Sequence, residues 1–143
     1  MNRRALITAG LAFCAHPLSA GEEPALAKVN HLRRQSGRAP LRWSPVLEAV
    51  AQAHADDMAQ RGYFSHRGVD GASVGDRVRR AGYSWCAVAE NIAQGQRSLD
   101  AVLAGWQGSP GHRRNMLSAA MAELGVARGP GNTWVMVLAR HGC

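Results

Sequence analysis

Ser109-Pro110-Gly111-His112-Arg113-Arg114-Asn115-Met116-Leu117 follows an apolar helical run that ends near Trp106. Proline cannot continue a helix from within and glycine frees the backbone, so the Pro110-Gly111 pair stops one helix and starts another. His112 then stands in the first turn of the new helix, where a side chain faces a cleft rather than a core. Three other stretches offer partners: Phe64-Ser65-His66, Ala89-Glu90-Asn91-Ile92-Ala93 and Leu124-Gly125-Val126. The reading that organises the chain is that His66, Glu90 and His112, distant in sequence, meet in one polar cleft.

Beyond this stretch, residues 123–127 and 133–139 read as two strands joined by Arg128-Gly129-Pro130-Gly131-Asn132, a hairpin. Before it, Ser98 caps a helix with Asp100 in its first turn and Val102, Leu103 and Trp106 as its apolar stripe. Residues 87–93 read as a strand with Glu90 in its middle, and Ser73 caps a short helix over 74–81 that stops at Gly82. Ser44-Pro45, a cap followed by proline at the first helical position, opens a helix that runs to about Gln60. Its stripe is Leu47, Val50, Ala51, His54, Ala55 and Met58, which puts His54 in or beside the core, bonded to backbone or to a site residue. An opening helix begins at Glu22 in a run that ends at Gly37, and Pro40-Leu41-Arg42-Trp43 is an extended connector. Tyr63 and Phe64 anchor the loop that presents His66. Asn91 and Asn115 read as amides that pin backbone, and Ser109 has no buried acid placed to make a serine hydrolase of it. Helices that precede and flank a small sheet make the class α+β.

A chain of 143 residues with 46% hydrophobic and 19% charged content is one globular domain, and no apolar run reaches the ~20 residues of a membrane helix. Asn2-Arg3-Arg4, the apolar run from Ala5 to Ala15 and Leu18-Ser19-Ala20 read as a signal peptide over residues 1–20, with a secreted or periplasmic domain over 21–143. Cys14 could be read as a lipid-attachment cysteine, but bulky Phe13 precedes it. Export leaves Cys86 and Cys143 as an even pair in an oxidising compartment, so a disulfide worth roughly 4 kcal/mol is expected. A catalytic role for Cys86 is the alternative, and it leaves Cys143 without a purpose. The formal charge of +7, or +5 without Arg3 and Arg4, suits an anionic envelope polymer or lipid head group as partner. It does not indicate nucleic acid, because the arginines are scattered and no aromatic-basic face recurs. A monomer is expected.

The succession Leu41-x-Trp43-x-Pro45-x-Leu47, Ala53-His54-Ala55-x-Asp57-Met58-Ala59, Phe64-Ser65-His66, Ala81-Gly82-Tyr83, Glu90-Asn91-Ile92-Ala93, Trp106-x-x-Ser109-Pro110-Gly111-His112-Arg113-x-Asn115-Met116-Leu117 and Gly125-Val126 resembles the CAP superfamily (cysteine-rich secretory, antigen 5 and pathogenesis-related-1 proteins, or SCP domains) in its bacterial secreted branch. The resemblance implies a three-layer α-β-α sandwich around a small antiparallel sheet. It also implies a central cavity lined by two histidines and two acidic residues that can hold zinc or another divalent cation. Carried over, these are His66, Glu90 and His112, supported by His54, Asn91, Ser109 and Asn115. The second acidic position is missing: Trp106-Gln107-Gly108-Ser109-Pro110-Gly111 contains no carboxylate.

Two neutral imidazoles and a carboxylate match an open zinc site, whose bound water has its pKa lowered toward ~7. Without a second carboxylate there is no general base beyond Glu90, which cannot fully serve as ligand and base at once. The expectation is therefore a non-enzymatic binding module of the cell envelope, with a cavity able to take a divalent ion. A metal-assisted hydrolase of peptide or envelope polymer is the alternative. A hydrogen-bonded polar cluster without metal is the plainer account of the same three residues.

Overall fold

Three of the helices begin on a serine whose hydroxyl accepts a backbone N–H of the first turn, the interaction that satisfies an otherwise orphaned donor. In the computed structural model, which describes residues 22–143, these are α2 (Pro45–Arg61) on Ser44, α3 (Val74–Arg80) on Ser73 and α4 (Leu99–Gln107) on Ser98. Ser73 and Asp76 form a reciprocal capping box. The other helices are α1 (Glu22–Gln35) and α5 (Pro110–Leu117); α5 has Pro110 at its first position and no bond from the Ser109 hydroxyl. The strands are β1 (Arg42–Trp43), β2 (Trp85–Gln94), β3 (Glu123–Gly129) and β4 (Thr133–His141). The signal peptide expected over residues 1–20, with Cys14, lies outside the described residues.

The sheet order is β1-β3-β4-β2. The β3–β4 hairpin and the β2–β4 pair are antiparallel, with Glu90 opposite Val137 and Asn91 opposite Met136. The expected connector departs from a wholly antiparallel sheet: Arg42 and Trp43 form a two-residue strand parallel to β3. Its cause lies in α1, where the Asn30 side chain grips the backbone of Leu41 from both sides, accepting from its N–H at 2.7 Å and donating to its carbonyl at 3.0 Å.

The middle strand β4 explains the layering. Val135, Val137 and Ala139 pack against α2 and α3, whereas Trp134, Met136 and Leu138 pack against α1, α4 and α5. A strand buried on both faces reads as a continuous apolar run, as it does here. Helices thus cover both sides of the sheet, the α+β three-layer sandwich expected. The α2 layer lies directly on the backbone: a Cβ at Gly125 would stand 2.1 Å from the Glu48 nitrogen. Cys86 and Cys143 are disulfide-bonded with Cα atoms 5.5 Å apart, which fastens residue 143 to β2 and removes the catalytic reading of Cys86. No helix among the described residues is long and apolar enough to cross a membrane.

Candidate functional site

Side chains alternate across a strand, so Glu90 and Asn91 leave β2 on opposite faces and do different work. The Glu90 side chain is only 1% exposed. One of its oxygens accepts from His66 Nδ1 at 2.8 Å and the other from Arg77 Nη2 at 2.5 Å. Arg77, on α3, also donates through Nη1 to the carbonyls of His66 and Ala72, so one guanidinium holds both the carboxylate and the loop that carries His66. Its Nε is buried without a partner.

His54, on the buried stripe of α2, places Nε2 2.9 Å from the Ser65 carbonyl and 3.9 Å from Glu90. A carbonyl only accepts, so this nitrogen carries the proton. Burial, more than any neighbouring charge, lowers the pKa of His54. His54 therefore supports the loop below His66, the structural role its position on the stripe predicts.

On the other face, Asn91 donates to the His112 carbonyl at 3.1 Å and accepts from Asn115 at 2.8 Å. Asn115 also donates to the Glu90 carbonyl at 3.4 Å. These two amides lash the first turns of α5 to β2 and thereby position His112. Its pKa is lowered first by partial burial and then by His66, so the two imidazoles stand within each other's field. His66 is 56% exposed, and because its Nδ1 faces Glu90 its Nε2 is left open to solvent. Among the described residues Ser109 finds no side-chain hydrogen-bond partner and stays apart from this network.

The structure thus brings His54, His66, Glu90, Asn91, His112 and Asn115 to one stretch of β2, and it adds Arg77. Arg77 is one of three arginines in the short helix α3, and nothing in that run marks which of them turns inward. The consequence for a metal is direct. Arg77 and His66 each hold one oxygen of Glu90, so an ion on this carboxylate has to share an oxygen with one of them or displace it. Among the described residues no group of three or more His, Cys, Asp or Glu side chains is arranged to hold a metal ion. As they stand, these residues do not fit a three-ligand centre.

The same arrangement of sheet and helices recurs in known proteins. The model of the cysteine-rich secretory protein (CAP) family matches residues 26–138. The chain belongs to this family. Among curated relatives, this CAP chain is 33% identical over 109 residues to uncharacterized protein YkwD of Bacillus subtilis (strain 168), covering 76% of this chain and 42% of that one. It is also 33% identical over 105 residues to uncharacterized membrane protein YlbC of the same organism, covering 73% of this chain and 30% of the relative. The chain thus spans less than half the length of either. Among solved structures, an extracellular SCP-domain protein of Bacillus anthracis superposes with a TM-score of 0.77 at 28% identity, covering 88% of this chain and 45% of that one. An outer surface protein of Borrelia burgdorferi shares the fold, with a TM-score of 0.77 at 20% identity over 84% of this chain and 92% of its own.

Proposed function

We propose that this CAP domain is a non-enzymatic binding module that works outside the cytoplasm, with the surface around His66 and His112 as its ligand-facing cleft. The observation that carries this reading is the full engagement of Glu90 by Arg77 and His66. A carboxylate whose charge is matched by a guanidinium is weakened both as a base and as a metal ligand. An extracellular setting is supported by the Cys86–Cys143 disulfide, by the leader-like residues 1–20 and by the extracellular relative from Bacillus anthracis. Its natural ligand would be a lipid or an anionic polymer of the envelope, and the domain would act as a monomer.

A divalent cation enters this reading only by competing with Arg77 or His66 for the carboxylate. The test is a calorimetric zinc titration of the oxidised domain beside the double variant His66→Ala/His112→Ala, checked for an unchanged fold. The expected result is no tight stoichiometric binding in either protein. Stoichiometric binding abolished by the double variant would overturn the metal-free reading. The alternative, a metal-assisted hydrolase, has one observation in its favour: Glu90 orients His66 through Nδ1 and leaves Nε2 open, as a general base requires. That reading demands metal-dependent turnover lost in His112→Ala, and none is expected.

A further inference from the structure

Arg33 is a cation where cations are rarely found. It lies on α1, is 1% exposed and ranks among the largest fully buried side chains of the domain. Its Nε donates to the Ala39 carbonyl at 2.7 Å and its Nη1 to those of Met116 and Ser118 at 2.8 and 2.9 Å. These bonds fix the guanidinium, but among the described residues no carboxylate pairs with it. A buried charge is normally matched by an opposite one. Here the neighbours have the same sign: after desolvation, the charges of Arg38 and Arg140 lower the Arg33 pKa further.

These three, with Arg42, line a cavity of about 290 Å³ between the turn after α1, β1 and the approach to β3, and neither Asp nor Glu lines it. The side of the cavity formed by Arg38 and Ala119 is shared with a wider groove of about 820 Å³, lined by Arg113 and Arg114 on α5 and again without a carboxylate. Six arginines therefore face one continuous trough. Among the described residues none of the six takes part in an ion pair, although four Lys or Arg side chains pair with carboxylates elsewhere. Glu123, opposite Arg42 in the sheet, bonds instead to the Tyr83 hydroxyl. Arg140 is oriented by its bonds to the carbonyls of Ala119 and Ala120. None of His54, His66, Glu90 and His112 lines the trough.

We infer that this arginine trough is a binding site for phosphate groups, with one phosphate seated in the cavity among Arg33, Arg38, Arg42 and Arg140. Guanidinium forks match phosphate oxygens two at a time, and a tetrahedral group of high charge density offers several of them acceptors at once. A single carboxylate satisfies one fork and leaves the others facing each other. The adjoining groove extends the site so that a second phosphate of the same ligand meets Arg113 and Arg114. A lipid head group and a soluble phosphate compound present the same chemistry here. The site is independent of the His66/His112 cleft, so its failure leaves that proposal standing.

The test titrates inorganic pyrophosphate into the oxidised domain in phosphate-free, low-salt buffer, followed by backbone amide NMR shifts. Saturable shifts are expected at Ala39 and Ala119, with affinity reduced about tenfold or more in Arg38→Ala/Arg42→Ala. The same charge removed elsewhere, in Arg61→Ala/Arg97→Ala, is expected to leave the affinity within a factor of about two. No saturable shift, or equal weakening in both double variants, would overturn the inference, the latter by reducing it to diffuse attraction. A second arm sediments the protein with phosphatidylglycerol-containing and with pure phosphatidylcholine vesicles. Binding only to the former, lost in Arg38→Ala/Arg42→Ala, assigns a lipid head group. Pyrophosphate binding without vesicle binding assigns a soluble phosphate ligand.

Discussion

Glu90 and Arg77 make the most consequential contact in the molecule. Breaking a buried, hydrogen-bonded ion pair leaves one partner desolvated and unmatched, so Glu90→Gln is expected to destabilise the domain by about 3 kcal/mol in urea unfolding. Arg77→Met tests the complementary point. It frees one oxygen of Glu90 beside two imidazoles, and calorimetry is expected to detect tighter zinc binding than in the native protein, at some loss of stability. The buried histidine adds a pH dependence of defined sign. His54 has its pKa lowered below the ordinary 6.5, as does His112, so the unfolded chain binds protons that the folded one resists. Stability is therefore full above about pH 6.5 and falls as acid protonates the unfolded chain. The histidine variant His54→Gln is expected to flatten that fall in chemical denaturation measured between pH 5 and 7.

The elements divide between those that announce themselves locally and those set by distant contacts. Helix starts at Ser44, Ser73 and Ser98 were legible because a cap is chemistry within four residues, and the hairpin because its turn residues sit between two apolar runs. The strand β1 was not, since two residues have no periodicity and Asn30, eleven positions away, holds the first link. The site divides the same way. His66, Glu90 and His112 stand out by residue type and by resemblance, and Asn91 and Asn115 pin backbone as expected. Arg77 was invisible because its inward turn depends on how α3 lies against β2. Gly125 belongs to the same hidden class. Replacing it with alanine drives a methyl into the backbone of Leu47 and Glu48, and Gly125→Ala is expected to cost at least about 3 kcal/mol in thermal or chemical unfolding.

At the scale of the whole molecule, the disulfide closes a loop across a separation of 57 residues that contains α4, α5 and the hairpin. Reduction, or the double variant Cys86→Ser/Cys143→Ser, is expected to lower stability by roughly 4 kcal/mol, read as a fall in Tm. The order of strands carries a further consequence. β2 and β3 are both neighbours of β4, and β4 is the last of them to be synthesised. Until Thr133–His141 has been made, the strand that carries Glu90 has no partner and neither core is closed. A nascent chain is thus denied a stopping point, and it stays unfolded and threadable until residue 141 has emerged. The native architecture enforces its own delay.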